Sequence, residues 1–387
     1  VARVLQVVTE LVVGGASLTM LDFAEDLSSE YELVIAHGRL DDPGNAAARR
    51  ARQNFPTYEL PRLARPLDAR SDLLAARSFA ALSRHLRPDV IHSHSSKAGF
   101  VGRLGGLTGA GIRFHTIHGW GHTPLDPPRR RQLLIGAERL AARRTTKLIA
   151  VSPEVRDEGL ALGIGRADQY AVIGSPVDMR PHASYFDFES ARAEARARLR
   201  LPQDAEVVGW VGRFSAQKDP EALVAVIGTL LTQRHNAYAV LIGDGPDRAA
   251  VQARMASEIA ERRVLLMGVR DDVRALYPAF DVLLHTSRWE GHPRAVREAL
   301  AERVPVVTAR VGGTGVVSSD PLLGMEVEPG DTAAYRAGLV AILDSPKRRA
   351  PIDPHALASL RASAAEPYRL MRELYAAALS GRGQRRQ

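Results

Sequence analysis

Along the whole chain, short runs of apolar and β-branched residues alternate with longer stretches in which apolar positions recur every three or four residues. In the first half the apolar runs are Arg3–Val8, Leu33–Ala36, Val90–His94, Phe114–Ile117 and Leu148–Val151, each read as a strand. Between them Ala16–Leu27, Asp72–Leu86, Arg129–Ala142 and Pro153–Leu162 carry the helical period. Near Val177 the pattern stops and then restarts. Strands are expected at Val207–Val211, Val240–Ile242, Val264–Met267, Val282–His285 and Val306–Ala309. Helices are expected at Pro220–Gln233, Asp247–Ile259, Val273–Tyr277, Arg294–Ala301 and Thr332–Leu343. Pro220 and Pro293 suit the first turn of a helix, where a missing N–H is not needed. Residues 175–184, with Pro176, Pro181 and no period, read as a linker.

Strands that are apolar throughout, each followed by a helix, argue for parallel sheets covered on both faces. The expected fold is α/β: two doubly wound parallel-sheet domains, residues 1–177 and 183–365, facing a central crevice. Ligands of such sheets bind beyond the carboxyl ends of the strands.

At 387 residues, the chain is long enough for two cores. The absence of cysteine excludes a disulfide scaffold, an iron–sulfur site, thiolate zinc and a Cys nucleophile. No apolar run approaches the ~20 residues of a membrane span. No basic-then-apolar leader is seen, so a cytoplasmic protein is expected. The net charge of +8 invites a nucleic-acid partner, but lysine occurs only at 97, 147, 218 and 347, and each half of the chain carries +4. A diffuse arginine bias, 5% aromatics and no binding module argue against nucleic acid.

Candidate chemistry lies after the strands. Glu290-Gly291-His292-Pro293-Arg294 follows Val282–His285 and opens a helix containing Glu298. Gly291 permits a close backbone approach, and the helix start offers free N–H groups to an anion. Eight residues are just over two helical turns, so Glu290 and Glu298 are expected to share a face. Arg213 and Lys218 leave the end of Val207–Val211 together, a guanidinium and an ammonium suited to a diphosphate. Gly243-Asp244-Gly245-Pro246 reads as a tight turn with Pro246 starting a helix. Gly14-Gly15 leaves bare backbone at the first strand–helix turn. Five of the twelve histidines are His92, His94, His115, His118 and His122. No familiar metal-ligand set surrounds them. His118, at a strand end in Thr116–Gly121, is the functional candidate, whereas His92 and His115 read as core or surface residues.

The ordered segments Val211–Lys218, Ile242–Pro246 and Glu290–Glu298, with Ile91–Gly99 and Thr116–Gly121 in the first half, resemble the GT-B glycosyltransferases of family 4. The likeness is to members that build exopolysaccharides or lipid-linked glycans. It implies retaining transfer of a sugar from a nucleoside-diphosphate sugar, as co-substrate, to a hydroxyl acceptor, with no divalent metal. By that resemblance Arg213 and Lys218 bind the diphosphate, Glu290 contacts the donor sugar, and Gly291, His292, Pro293 and Arg294 line sugar and phosphate. Glu298 holds the ribose, Val269 and Arg270 flank the base, and Gly14 and Gly15 lie near phosphate and acceptor. His118 touches the sugar or its phosphate. The last helix, within residues 366–387, crosses back onto the first domain. Departures are Ser175-Pro176 for the usual Asn-Gly, Arg294 where Asn or a small residue is common, and Gly315-Val316 where an acid often follows Gly312-Gly313-Thr314.

Residues 129–147 carry seven cations against Glu138 and an apolar stripe of Leu133, Leu134, Ala137, Leu140 and Ala141. Two readings stay open: peripheral docking on an anionic membrane that presents a lipid-linked acceptor, or a core-packing helix with an arginine-rich outside. A soluble natural-product acceptor, and a GT-B epimerase or phosphorylase, are the alternative functions.

Overall fold

A computed structural model describes residues 1–40, 42–64, 68–105, 111–181, 187–319, 321–345, 352–353, 355 and 357–384. The chain divides into two compact units, Val1–Pro176 with Ala365–Gln387, and Val177–Ala364.

The first unit holds seven strands: β1 (Arg3–Val8), β2 (Glu32–Gly38), β3 (Thr57–Leu60), β4 (Val90–His94), β5 (Ile112–Ile117), β6 (Lys147–Ala150) and β7 (Tyr170–Val172). They pair in the order β3-β2-β1-β4-β5-β6-β7, all parallel. The second holds β8 (Glu206–Val211), β9 (Ala237–Ile242), β10 (Val264–Leu266), β11 (Val282–His285), β12 (Val306–Ala309) and β13 (Gly324–Val327). Their order is β10-β9-β8-β11-β12-β13, again parallel. These are two doubly wound α/β sheets, the expected class.

Central strands such as β8 and β11 are buried on both faces, and this makes most of each an apolar run. The sequence reading passes over β3, β7 and β13. All three are edge strands and half exposed, so they lack that run. It also passes over the helix Ala46–Asn54, whose buried residues are all alanines, and the helix Phe188–Leu199, which turns Arg192 and Arg196 inward beside Phe188, Ala195 and Leu199.

Three local expectations are corrected. The helix expected over 247–259 is two, Arg248–Arg254 and Ala256–Ala260, broken at Met255. Pro246 does not start it; Asp247 occupies the cap. Pro293 lies one residue before the helix Arg294–Ala301, at its N-cap. Pro220 is the first residue of Pro220–Gln233. Residues 182–184 of the expected linker, 183–186 of the expected second domain and 385–387 of the last helix lie outside the described residues.

The C-terminal helix Glu366–Gln384 belongs to the first unit. Met371 and Tyr375, both fully buried, join the core of Val4, Val90, Ile112 and Phe114. None of the helices among the described residues is long and apolar enough to cross a membrane.

Candidate active site

In the second unit the winding reverses between the neighbours β8 and β11, and the crevice at such a switch point is where ligands bind in open α/β sheets. Two loops leave it. The loop after β8 turns at Asp219, whose φ of 49° is left-handed and whose side chain caps the next helix by accepting from the Ala222 N–H. The loop after β11 is zipped onto it: the Thr286 hydroxyl donates to the Lys218 carbonyl at 2.7 Å, and the Arg288 N–H donates to the Gln217 carbonyl at 2.8 Å.

This zipper brings Lys218 Nζ to 2.5 Å from Glu290 Oε1. The Ser287 hydroxyl donates to the same oxygen at 2.8 Å and therefore accepts from His285 Nε2 at 2.9 Å. Gln217 donates to the Trp289 carbonyl at 3.0 Å and reaches the other carboxylate oxygen at 3.4 Å. Burial raises the Glu290 carboxyl, but the Lys218 ammonium and His285 outweigh it and hold it at about 2. Glu290 is thus a fixed anion, with a cation against it.

Glu298 is not on a common face with Glu290. The segment from Gly291 to Pro293 is not helical, so the two-turn spacing does not apply. Glu298 instead accepts from the Tyr277 hydroxyl at 3.3 Å and from Arg294 Nε at 3.4 Å. His292 Nδ1 is buried without a hydrogen-bond partner among the described residues. Burial, with Arg297 and Arg294 nearby, pushes that imidazole down to about 3, so it is neutral. Gly313, at φ 76°, packs against it; a Cβ there meets His292 Cδ2 at 2.7 Å. Arg213 is exposed on its loop, as is Val269, and Arg270 is held by Asp272 through two 2.8 Å hydrogen bonds.

The glycines of Gly243-Asp244-Gly245 have a structural task. Both have positive φ, and a Cβ on Gly243 falls 1.8 Å from the Gly212 carbonyl oxygen. The Phe214 N–H donates to the Asp244 carbonyl at 3.0 Å. The turn after β9 therefore buttresses the loop that carries Arg213 and Lys218.

In the first unit the winding reverses between β1 and β4. Gly15 opens the helix Gly15–Leu27, and the Gly14 carbonyl accepts its first hydrogen bond, from Leu18. Ser17 closes this loop by donating to the Glu10 carbonyl at 2.9 Å. Ser95, directly after β4, has φ 65° and ψ 155°, a strained conformation for a residue with a side chain. Its hydroxyl lies 2.7 Å from that of Thr9, tying the ends of β4 and β1 together. His118 follows β5, half-buried, with Nε2 3.1 Å from His94 Nδ1. His92, His94 and His115 are buried, and His122 stacks on Trp120. No group of three or more His, Asp and Glu among the described residues is arranged to hold a metal ion.

The basic helix spans Pro128–Ala142. The expected single stripe splits: Leu134 and Ala141 face the core with Ile135 and Ala142, while Leu133 (68%) and Leu140 (54%) are exposed. Its one acid, Glu138, is turned inward against Arg103 at 2.8 Å.

The structure thus joins Lys218 to Glu290, and Arg294 to Glu298; Arg213 lies on the same loop as Lys218, and Val269 and Arg270 lie on the loop after β10. Sequence reading missed Gln217, Tyr277, Ser287, Thr9, Ser17 and Ser95. Only adjacency to Lys218 and Glu290 hinted at Gln217 and Ser287.

Comparison with known proteins bears on both units. Residues 13–180 match the family model "Glycosyltransferase Family 4", and residues 191–357 match "Glycosyl transferases group 1". The chain is 26% identical over 293 residues to the UDP-Gal:alpha-D-GlcNAc-diphosphoundecaprenol alpha-1,3-galactosyltransferase of Escherichia coli, covering 74% of each. It is 29% identical over 375 residues to the 2-deoxystreptamine N-acetyl-D-glucosaminyltransferase of Streptomyces fradiae, covering 87% of this chain and 84% of that one. In fold it matches Anabaena HepE, solved with UDP and glucose, at a TM-score of 0.79 and 21% identity over 98% of this chain and 100% of that one.

Proposed function

We propose, for a chain that belongs to the family 4 glycosyltransferases of GT-B fold, that it moves a sugar from UDP-sugar to a hydroxyl of a lipid-linked acceptor, with retention, in envelope polysaccharide or glycolipid synthesis. The observation that carries this reading is the Lys218–Glu290 pair at the β8/β11 switch point. An ionised carboxylate held by three donors still has lone pairs for sugar hydroxyls. The ammonium beside it, with exposed Arg213 and the N-terminus of the helix Arg294–Ala301, answers charge developing on the departing diphosphate. Glu298 takes the ribose, and Val269 and Arg270 flank the base. Gly14 and Gly15 offer backbone to phosphate and acceptor, and His118 touches the sugar or its phosphate. The acceptor proton passes to a diphosphate oxygen on the same face as the leaving group, so the reaction calls on no protein nucleophile and no divalent metal.

The membrane face supports the lipid-linked acceptor. Leu133, Gly136 and Leu140 are exposed along one line of the helix, with Arg129, Arg130, Arg143 and Arg144 exposed at its ends. Basic residues near an anionic surface contribute ~1 kcal/mol each. The E. coli relative, named for a diphosphoundecaprenol acceptor, favours the same class. A soluble aminocyclitol acceptor is the second reading, favoured by the Streptomyces relative's match over 87% of the chain.

The test is a thermal-shift screen of nucleoside-diphosphate sugars, followed by transfer assays of the binding donor with polyprenyl-diphosphate sugars and with aminocyclitols. Stabilisation by a UDP-sugar and transfer to the lipid with retained anomeric configuration are expected. Transfer to the aminocyclitol alone overturns the acceptor, and an inverted product overturns the mechanism.

A further inference from the structure

The first unit contains a continuous chain of polar side chains, buried except at its His118 end, of which the proposed mechanism uses His118 alone. It begins on the C-terminal helix. The Tyr375 oxygen lies 2.6 Å from His92 Nδ1 and accepts from Gln6 Nε2 at 3.3 Å. Gln6 Oε1 lies 2.8 Å from His94 Nε2. His94 Nδ1 lies 3.1 Å from His118 Nε2. His92 continues on its other side, with Nε2 2.7 Å from the Thr116 hydroxyl. Tyr375, Gln6, His92 and His94 are all buried, at 0–1% exposure, so water does not take over these hydrogen bonds.

His92 and His94 each have one proton to place. Burial pushes His92 down to about 3, and burial with the neighbouring imidazoles holds His94 well below its usual value, so both rings are neutral. A neutral imidazole donates from one nitrogen and accepts at the other. The chain therefore has two self-consistent polarities, and the orientation of the Gln6 amide selects between them. With Nε2 on Tyr375, Gln6 offers only its carbonyl to His94. His94 then carries its proton on Nε2 and presents a lone pair at Nδ1. His118 must donate to it, so its own Nε2 carries the proton. Tyr375, already accepting from Gln6, turns its hydroxyl proton to His92 Nδ1, and His92 donates from Nε2 to Thr116.

We propose that His94, Gln6 and Tyr375 are positioning residues that fix the tautomer of His118: with the Gln6 amide nitrogen on the Tyr375 oxygen, His94 offers His118 a lone pair and keeps a proton on His118 Nε2. In that tautomer Nδ1 of His118 faces a substrate hydroxyl as an acceptor and not as a donor. This deepens the glycosyltransferase reading and rests on it only for the consequence to turnover. The strained Ser95, next to His94, and Gly121, whose Cβ would fall 2.3 Å from Ser96 Oγ, hold the same corner.

The experiment uses full-length protein labelled with ¹⁵N-histidine. Long-range ¹H–¹⁵N spectra read the tautomers of His92, His94 and His118 without a substrate, in wild type and in Tyr375→Phe, His94→Phe and His94→Asn. The wild-type His118 is expected as the Nε2–H form. Tyr375→Phe removes the acceptor of the Gln6 amide nitrogen, and His118 is expected as a mixture or as the Nδ1–H form. His94→Phe keeps the ring and loses the acceptor; it is expected to mix the tautomer and lower kcat at least tenfold, with KM for the donor changed less than threefold. Asparagine places an oxygen near the Nδ1 position, and His94→Asn is expected to recover the tautomer and most of kcat. A wild-type Nδ1–H form, or a His118 tautomer indifferent to Tyr375→Phe and His94→Phe, overturns the proposal. So does His94→Asn behaving as His94→Phe, since packing then explains the loss. If wild type transfers no sugar, the glycosyltransferase reading fails while the spectra still decide the tautomer.

Discussion

Lys218 and Glu290 stand 72 residues apart in the chain, and their side chains meet at 2.5 Å where β8 and β11 run side by side. Removing either leaves the other half-compensated in a mostly buried place. Lys218→Ala and Glu290→Ala are each expected to lower turnover at saturating donor at least ~100-fold, the scale of losing a preorganised electrostatic group. Steady-state kinetics of the two variants check this; near-normal kcat in both removes the pair from catalysis.

Glu290 also links stability to acid. Its carboxyl is held at about 2, below the 4.5 of an unfolded glutamate. A depressed acid stabilises fully above the unfolded value and loses that contribution as pH falls from about 4.5 toward 2. The linked contribution is of the order of 3 kcal/mol. Glu290→Gln, compared with wild type by urea unfolding at pH 7, should be less stable by an amount of that order; equal stability contradicts the assignment.

A second acid effect sets in earlier. Burial lowers His92 and His292 to about 3 and His94 and His115 well below their ordinary values. These rings are neutral when folded and take a proton when unfolded below about 6.5, so stability falls as pH drops through that value. Each such ring removes ~1.4 kcal/mol per pH unit. Calorimetry from pH 7.5 to 5.5 should show a steep loss in Tm, shallower in His292→Gln. A flat profile rejects it.

Gly243→Ala places a Cβ against the Gly212 carbonyl at a φ of 136°. We expect a stability loss of at least ~2 kcal/mol and weaker donor binding, because the Lys218 loop leans on this turn. Chemical denaturation and donor titration measure both; an alanine variant with wild-type donor affinity breaks the buttress argument.

The exposed Leu133 and Leu140 with their arginine neighbours should carry the protein onto anionic vesicles at low salt, and Leu133→Ser/Leu140→Ser should weaken that binding by tenfold or more. Co-sedimentation with phosphatidylglycerol vesicles reads it. Equal binding by the double variant sinks the membrane face.

If Arg213 and Lys218 meet the diphosphate as proposed, transfer in excess EDTA is expected to match that in buffer alone. A requirement for added Mg²⁺ or Mn²⁺ reverses this.

Hydrophobic patterning along the chain specifies the fold class and points to the loops proposed to carry chemistry. Central strands such as β8 and β11 are buried on both faces, and that requirement writes itself into the chain as an apolar run. Arg213, Lys218, Glu290 and Glu298 stood out because they follow such runs. Edge strands β3, β7 and β13 left no comparable trace, since one side faces solvent. Tertiary structure alone decided who meets whom. Lys218 grips Glu290 because the winding sets β8 beside β11, and Glu298 turns to Arg294 and Tyr277 because Gly291–Pro293 breaks the helical spacing. Tyr375 reaches Gln6 across 369 residues because the last helix packs into the first unit. Periodicity records burial along a strand or helix, but a contact between distant residues exists only once strand order has been fixed.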